Sequence, residues 1–502
     1  MKPKIIFWLN AFLLQYCLAY SLQKKYDADF YAVVDITNNP KKFFQSQQLV
    51  KFEKTWFYHD SINKMNKKPD TSYLKQFEQK YNVNLWKLAI NERIFYRFNR
   101  LHKFSTNDIL LILEQECKFF EKILDETKPD FLISFDPPFH HQQLFYEMCR
   151  SNGVKPLILY IMPVGDRSLI SDGYNISLKE LDNVKGKNLN FEELQNYRKS
   201  FDYNKVTKKF LQEKHYSKFS QIKAIREFIL HSNSKNSETH YTYFGRNKFS
   251  VLLDAIKFSL RTKYRNNFIN KNLEMHPDLD SHYVYFGLAV DEETNILQSA
   301  PFYTNQIEAI RHIAKSIPIN HKLFVKEHPH QEIRGWRSIS EYTEIMNIPN
   351  VTLLHPSFSA EKLVQNCSLA ITVRGNTCLD AAFYKKPSIV FGDTSWSALP
   401  SVHKVSSPEE LPSVIRDSLQ KQVESFYLDK YISWMEQNSF SFNVSDYELK
   451  EANWFYPGGI LVDVDIPIPK MKSFLEKNKS LLDNLASEYI KKIEITNEKQ
   501  HT

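Results

Sequence analysis

Short apolar runs alternate with helix-length amphipathic stretches through residues 1–200. The runs read IIFWL, FYAVVDI, DFLISF and PLILYI, and a long helical stretch, NDILLILEQECKFFEKILDETK, precedes the third of them. Strands separated by helices are typical of a parallel sheet covered on both faces and built from right-handed βαβ units. The pattern therefore predicts an α/β, Rossmann-like N-terminal domain over residues 1–200.

A second α/β series begins at HYVYFGLAV and continues through KLFVKE, VTLLHP, LAITVR and PSIVFG, with a helical stretch between most of these runs. It predicts a second Rossmann-like domain over residues 281–420. The basic, aromatic sequence of residues 201–280 has no strand-like run and predicts a helical connector, and residues 421–502 predict a C-terminal helical extension. A chain of 502 residues is also longer than one hydrophobic core usually supports.

The N-terminal run is basic and then apolar, as in a signal peptide. Asn10 and Gln15 interrupt it, and the strand-like DADFYAVVDI follows closely. We therefore favour a strand from Ile5 to Leu9, a helix from Ala11 to Lys24 and a strand from Phe30 to Asp35 over a cleaved signal or anchor. No other run approaches the roughly 18 apolar residues of a membrane-spanning helix.

Composition narrows the class of protein and its partners. With 42% hydrophobic and 25% charged residues the chain is expected to fold, and its five cysteines form no CxxC pair, which predicts buried thiols in the cytoplasm. The net charge of +8 suits an anionic ligand or peripheral association with a membrane, but the lysines are scattered and nucleic acid is not an expected partner. The sequence has no P-loop, GxGxxG, HExxH or GxSxG motif, which argues against kinases, simple dehydrogenases, zinc proteases and serine hydrolases.

Ligands of open α/β sheets bind outside the carboxyl ends of the strands, so polar residues that directly follow an apolar run are candidates for the site. In FLISFDPPFHHQ the run ends at Asp136, two prolines fix the backbone, and His140 and His141 open the next helix. Asp136 could serve as a general base, with His140 assisting it or binding an anion. The alternative is that Asp136 begins a turn and His140 caps the helix.

In LFVKEHPHQ the apolar run is followed by three consecutive polar residues, Lys326, Glu327 and His328. Lys326 and His328 are expected to contact a phosphate, whereas Glu327 is expected to pair internally. Pro329 ends the strand ladder and restricts the conformation of His328.

In LAITVRGNTCLD a strand ends at Arg374 and Gly375, and a helix begins near Thr377. Thr377 and Asp380 have the spacing of a capping box. Gly375 and Asn376 leave backbone N–H groups at the ligand edge, which predicts an anion site that needs no metal.

The fourth strand end lies in YFGLAVDEETNILQSAPFYTNQ. It leads through the acidic residues 291–293 to Gln306 at the start of a helix. The acidic side chains could face an acceptor hydroxyl or could simply be solvated.

Taken together, the segment from Tyr283 to Trp396 resembles capsule and surface polysaccharide biosynthesis proteins, a group related to the capsule Kdo transferases. The His-Pro pair and the Gly-Asn-Thr turn followed by an acidic residue are the most specific parts of the resemblance, and DFLISFDPPFHHQQLFYEMCRSNGVKPLIL is similar to the same group. The resemblance implies a GT-B arrangement, with an N-terminal acceptor-side domain and a C-terminal domain that binds a nucleotide-activated sugar.

Carried over by motif position, the resemblance implies that the donor nucleotide phosphate and its pocket are contacted by His328, Pro329, Gly375, Asn376 and Thr377. The chain departs from the family in two places. Asp380 stands where relatives often have glutamate, and LAVDEET replaces a His-X-Gln-Pro-Glu-like stretch.

The sequence therefore predicts a metal-independent glycosyltransferase that moves a sugar from a nucleotide-sugar co-substrate onto a surface glycan or lipid-linked glycan, with no other cofactor. Asp136 would deprotonate the acceptor, while Lys326, His328 and the turn from Arg374 to Thr377 stabilise the leaving phosphate. The expected location is the cytoplasm or the inner face of the cell membrane. Two alternatives stay open: a nucleotide-sugar 2-epimerase, and a non-catalytic nucleotide- or glycan-binding subunit of a polysaccharide assembly complex.

Overall fold

The computed structural model describes residues 2–63, 67–96, 99–173, 178–201, 240–456 and 464–501. The fold is mixed α/β with two largely parallel sheets and a helical C-terminal segment, which confirms the predicted fold class. The chain forms two compact units. The first comprises Met1–Gly173, Asp202–Val251 and Ser439–Thr502, and the second comprises Tyr174–Phe201 and Leu252–Asn438.

The strands in chain order are β1 (Lys4–Leu9), β2 (Asp29–Val34), β3 (Lys54–Phe57), β4 (Phe131–Phe135), β5 (Lys155–Ile161), β6 (Arg167–Ser171), β7 (Tyr283–Gly287), β8 (Lys322–Lys326), β9 (Val351–Leu354), β10 (Leu369–Thr372), β11 (Ser388–Val390), β12 (Val402–Lys404) and β13 (Phe440–Ser441).

The helices of the described residues are α1 (Leu14–Gln23), α2 (Asn38–Ser46), α3 (Tyr58–Ser61), α4 (Thr71–Tyr81), α5 (Leu85–Ile90), α6 (Thr106–Thr127), α7 (His140–Ser151), α8 (Leu178–Asp182), α9 (Phe191–Lys199), α10 (Lys248–Asn272), α11 (Thr294–Leu297), α12 (Gln306–Ser316), α13 (Ile339–Met346), α14 (Ala360–Asn366), α15 (Thr377–Phe383), α16 (Leu411–Leu419), α17 (Ser425–Asn438), α18 (Val444–Phe455), α19 (Ile468–Lys477) and α20 (Lys479–His501). Short 3-10 turns occupy Tyr241–Tyr243, Pro329–Arg334, Ser395–Ala398 and Pro408–Glu410.

The first sheet has the strand order β13-β6-β5-β4-β1-β2-β3. Strands β1 to β5 run parallel, and β6 and β13 join the edge in antiparallel fashion. The N-terminal apolar run is therefore a central strand, as predicted, and Ile5 and Phe7 have no exposed surface. Helix α1 begins three residues later than expected because Asn10 accepts a hydrogen bond from the backbone N–H of Phe12 (3.0 Å) and forms a turn first.

The second sheet is entirely parallel, with the order β12-β11-β10-β7-β8-β9. From β7 the chain builds outward to β8 and β9 and then returns to place β10 on the other side of β7. This reversal of strand order lies between β7 and β10, and it is where ligands of doubly wound sheets bind. Pairing across the sheet aligns Lys326, Gly287 and Thr372 at the carboxyl ends of their strands.

The C-terminal helices return to the first unit. Side chains from α18, α19 and α20 are part of the same apolar core as α1 and β1, including Phe455, Phe474 and Tyr489. Helix α17, which also falls in the predicted extension, belongs to the second unit. Of the predicted connector, residues 202–239 lie outside the described residues, as do residues 457–463 of the predicted extension.

All five cysteines are buried free thiols, as small core residues are expected to be. Among the described helices, none combines the length and the apolar character needed to cross a bilayer.

Candidate functional site

Lys326 ends β8 and is buried, with 4% of its surface exposed. Its ammonium donates a long hydrogen bond (3.4 Å) to the carbonyl oxygen of Glu327. Among the described residues it forms no ion pair with a carboxylate. Burial lowers the pKa of Lys326 to about 8, although the nearby charge of Glu327 opposes that shift. The end of this strand therefore holds a cation that would gain stability from a bound anion.

His328 lies two residues further and precedes the 3-10 turn Pro329–Arg334. Its Nδ1 atom accepts a hydrogen bond from the backbone N–H of His330 (3.2 Å). Burial lowers the pKa of His328 to about 4, with His330 and Lys326 adding to the effect, so the imidazole is neutral at physiological pH. Because Nδ1 acts as the acceptor, the ring proton resides on Nε2, which makes Nε2–H a hydrogen-bond donor.

Glu327 pairs internally, as predicted. Its side chain is fully buried and accepts hydrogen bonds from Nε of Arg337 (2.8 Å), from the hydroxyl of Tyr342 (2.9 Å) and from the backbone N–H of His328 (2.7 Å). The chain turns back toward Glu327 through Gly335, whose φ of 83° is unfavourable for residues with a side chain. Glu327 thus fixes the backbone that carries His328.

The acidic loop after β7 is not solvated throughout. Asp291 is 5% exposed, and its carboxylate lies 2.5 Å from Nη1 of Arg337 and accepts a hydrogen bond from Nε2 of Gln306 (2.8 Å). Gln306 also bonds both backbone groups of Ala289. The solvated interpretation is therefore wrong for Asp291, since Arg337, eleven residues beyond β8, supplies a buried counter-charge. Gln306 begins α12 as predicted and fixes this loop.

The strand β10 leads into a tight turn. Nε of Arg374 donates to the backbone oxygen of Asp393 (2.6 Å), and the N–H of Gly375 donates to the hydroxyl of Thr372 (3.3 Å). A Cβ on Gly375 would lie 3.0 Å from that hydroxyl oxygen, closer than side chains normally approach. Glycine therefore allows the turn to fold back on the end of the strand.

The predicted capping box of Thr377 and Asp380 is absent. Asn376 occupies the cap position of α15 without a side-chain hydrogen bond, and Thr377 is the first helical residue. The Asp380 carboxylate instead accepts hydrogen bonds from Nε and Nη2 of Arg198 on α9 (2.9 and 2.8 Å). A Cβ on Gly287 would lie 3.3 Å from the hydroxyl oxygen of Thr377, which places this hydroxyl beside the end of β7.

The structure thus brings part of the predicted set together. Lys326 pairs with Gly287 in the sheet, and the hydroxyl of Thr377 lies beside Gly287. Gly287 is in the middle of the carboxyl edge, where the strand order reverses. Arg374 and Gly375 follow Thr372, the strand neighbour of Gly287 on the other side. Asp380 and Gln306 are held in other contacts and are supporting residues in this geometry.

In the first unit, Asp136 directly follows β4 and is partly exposed. Its position at a carboxyl strand end agrees with the prediction. Arg93 holds the following turn through a hydrogen bond from Nη2 to the backbone oxygen of Pro138 (2.7 Å).

His140 begins α7 as predicted, but it has no exposed surface and does not cap the helix. Its Nδ1 lies 2.8 Å from Glu92 and its Nε2 lies 3.0 Å from Glu116, both buried carboxylates. Burial opposes a charge on the ring, yet Glu116 and Glu92 raise the pKa of His140 well above its ordinary value. This enclosure departs from the acid–base role expected for His140, which requires contact with substrate.

The neighbouring His141 is held in the same way. Its Nε2 lies 3.0 Å from Asp35, and its ring stacks on Tyr58 at a centroid distance of 4.4 Å. Burial favours the neutral form of the Asp35 carboxyl group, but His141 and His59 outweigh this effect and hold the pKa of Asp35 well below its usual range. We call the set Asp35, Glu92, Glu116, His140 and His141 the histidine cluster.

Sequence reasoning missed most of this cluster and also missed Arg337. Asp35 was visible as the residue that ends an apolar run, like Asp136. Glu116 interrupts the apolar face of the long helix α6, where a buried carboxylate requires a partner. Neither pattern identifies the residue with which the carboxylate pairs, because that residue lies in a distant part of the sequence.

No protein-family profile and no curated protein matches the chain. Among solved structures, it is similar to the UDP-GlcNAc 2-epimerase of Methanocaldococcus jannaschii in complex with UDP-GlcNAc and UDP (12% identity, 87% of this chain and 99% of that chain, TM-score 0.25). It is also similar to the β-Kdo 2,7-transferase KpsC of Thermosulfurimonas dismutans (10% identity, 74% and 97%, TM-score 0.29) and to the kitacinnamycin glycotransferase (9% identity, 90% and 98%, TM-score 0.25).

Proposed function

We propose that the protein is a glycosyltransferase that binds a nucleotide-activated sugar at the carboxyl edge of the second sheet. The observation that carries the proposal is the buried side chain of Lys326, a residue that pairs with Gly287 in the sheet at the reversal of strand order. A buried cation is costly unless an anion accompanies it. The phosphate of a nucleotide-sugar supplies that anion, and the surrounding groups are the kinds that bind phosphate.

The roles of the neighbouring groups follow from their geometry. The Nε2–H of His328 donates to a phosphate oxygen, and the hydroxyl of Thr377 and the turn from Arg374 to Asn376 supply further donors. Lys326 stabilises the charge that develops on the leaving phosphate as the bond between the sugar and that phosphate breaks and the acceptor oxygen forms the new glycosidic bond. Pro329 begins the turn after His328 and keeps the imidazole in position.

The family resemblance of the segment from Tyr283 to Trp396 supports a surface glycan or lipid-linked glycan as the acceptor, with the nucleotide-sugar as the co-substrate. Asp136 is the proposed base that deprotonates the acceptor hydroxyl. The enzyme would then act in the cytoplasm or at the inner face of the cell membrane.

Donor binding is tested by thermal shift with CMP, UDP, GDP and their sugars, since a ligand of the folded state raises Tm by mass action. Lys326→Met keeps the length of the side chain and removes its charge, and it should greatly reduce the shift. Lys322→Met is the matched control, because Lys322 lies exposed at the opposite end of the same strand. If no nucleotide raises Tm in the wild-type protein, or if both variants respond like the wild type, the donor site is refuted.

Product analysis then identifies the reaction. Incubation of the stabilising nucleotide-sugar with a glycan acceptor should give an extended glycan and a free nucleotide. Asp136→Asn should keep the thermal shift and lose the product. Conversion of the donor to another nucleotide-sugar without acceptor would indicate an epimerase, and binding without turnover would indicate a non-catalytic subunit.

A further inference from the structure

The histidine cluster of the first unit brings two imidazoles and one carboxylate close together. The carboxylate of Glu116, a ring nitrogen of His140 and a ring nitrogen of His141 lie within 4.8 Å of one another, and all three side chains are buried. Two imidazoles and one carboxylate are a common ligand set for divalent first-row transition ions.

The spacing of these atoms suits a single ion. Nε2 of His140 lies 3.0 and 3.1 Å from the two carboxylate oxygens of Glu116. Two ligands that are each about 2.0–2.1 Å from one zinc ion at a tetrahedral angle lie about 3.3 Å apart. The hydroxyl of Tyr241 is 3.4 Å from Oε1 of Glu116 and 3.4 Å from Nδ1 of His141, so a further oxygen faces the same centre.

The second nitrogen of each ring provides an independent observation. Nδ1 of His140 lies 2.8 Å from Glu92, and Nε2 of His141 lies 3.0 Å from Asp35. Metal-binding histidines almost always donate their other N–H to a carboxylate or a carbonyl, which fixes the ring and its tautomer. Each histidine therefore has an orienting carboxylate on one side; on the other side His140 contacts Glu116 and His141 contacts the hydroxyl of Tyr241.

The position of His140 is determined further by the backbone. Its N–H donates to the same Oε2 atom of Glu92 that contacts the ring (2.8 Å). Tyr58 stacks on His141 and also donates to Glu116 (2.5 Å). The ligand atoms are thus held before any ion binds, which reduces the cost of ordering them.

The geometry points to a buried site for one divalent transition ion, bound by Glu116, His140 and His141. Asp35 and Glu92 are positioning residues that orient the two imidazoles. Because every ligand is buried, the ion would stabilise the first unit rather than contact substrate. The inference is independent of the donor site proposed for the second unit.

The test begins with the full chain purified without chelator. Elemental analysis should find about one equivalent of a transition metal per chain, since a preformed histidine–carboxylate site retains its ion. Removal of the ion with dipicolinate should lower Tm, and added zinc should restore it. Cobalt substitution gives a visible d–d absorption that reports the ligand set directly.

Two variants make the assignment specific. His141→Gln should lose bound metal and the response of Tm to zinc, and Glu92→Gln should weaken metal affinity by about 10–100-fold. His355→Gln is the matched control: His355 is a buried histidine in the second unit, bonded to Ser357 and Asn270, and its replacement should leave metal content unchanged.

A wild-type chain that contains no metal and shows no rise in Tm with zinc, manganese or cobalt would overturn the proposal, and the cluster would then be a buried proton network only. Retention of full metal content by His141→Gln would overturn it as well. If His141→Gln fails to fold, the cobalt spectrum and the chelator experiment on the wild-type chain decide the question.

Discussion

Arg337 and Glu327 form a buried ion pair in which Nε of Arg337 lies 2.8 Å from Oε2 of Glu327, and at most 2% of either side chain is exposed. The same guanidinium also neutralises Asp291. Arg337→Met would leave two buried carboxylates without a counter-charge. We expect the free energy of unfolding of the second unit to fall by about 3–5 kcal/mol, measured by urea denaturation.

Arg334→Met is the control for this variant. Arg334 lies three residues earlier and pairs with Glu292 at 3.6 Å with much of its side chain exposed. Surface pairs of this kind contribute at most about 1 kcal/mol. Equal losses in the two variants would contradict the central role of Arg337.

The pH dependence of nucleotide binding should follow the ionisation of Lys326. Burial lowers the pKa of this residue to about 8. Below pH 8 the ammonium is charged and attracts phosphate, and above pH 8 it loses its proton. The affinity measured by calorimetry should therefore be steady near pH 7 and decline between pH 8 and 9. Lys326→Met should bind weakly with no such decline, whereas a wild-type affinity that is unchanged up to pH 9 would separate Lys326 from the ligand.

The same shift has an opposite effect on stability. The pKa of Lys326 is lower in the folded chain than its ordinary value of 10.5, so the unfolded chain binds more protons between about pH 8 and 10.5. Across this window Lys326 makes the folded chain more stable as the pH rises. Binding and stability should therefore respond to pH in opposite directions, and Lys326→Met should remove both responses.

His328 should act as a neutral hydrogen-bond donor. His328→Ala removes the Nε2–H group and should weaken nucleotide binding by about 10–100-fold, as expected for a hydrogen bond to a charged acceptor. His328→Gln places an amide N–H near the same position and should retain more of the affinity. Because the pKa of His328 is about 4, the ratio of wild-type to His328→Ala affinity should stay constant from pH 6 to 8. Calorimetry that finds glutamine no better than alanine would argue against donation from Nε2.

The order of the nine strands that coincide with clear apolar runs could be predicted because each run is local in the sequence, whereas β3, β6, β12 and β13, which lie at or beside the sheet edges, have no such run and were missed. The positions of Lys326, His328 and Arg374 could be predicted for the same reason, since each lies at the end of such a strand or within two residues of it. The internal pairing of Glu327 was also expected from its place in the strand. These predictions depend on neighbours within a few residues of each other.

The contacts that sequence reasoning missed join distant segments. Glu92, Glu116 and His140 come from a turn, from α6 and from the start of α7, and no short motif connects them. The capping box is absent because the helix begins at Thr377, which leaves Asn376 in the cap position, and Asp380 pairs instead with Arg198, 182 residues away. Local spacing shows what a side chain could do, whereas the tertiary fold decides which partner it meets.

Glu451 should make the first unit more stable in mild acid than at pH 8. Its buried carboxyl group accepts a hydrogen bond from the backbone N–H of Leu13 (2.9 Å), and burial raises its pKa to about 8. The folded chain therefore binds more protons than the unfolded chain between about pH 4.5 and 8. As the pH rises through that window, the contribution of Glu451 to the free energy of unfolding falls by at most about 1.4 kcal/mol per pH unit. Glu451→Gln keeps an acceptor for Leu13 without a charge, so its urea midpoint should vary less between pH 5 and 8 and should exceed that of the wild type at pH 8. The exposed Glu476, replaced in the same way, should leave the wild-type profile unchanged. A Glu451→Gln profile that is parallel to the wild type would show that Glu451 does not carry the pH dependence.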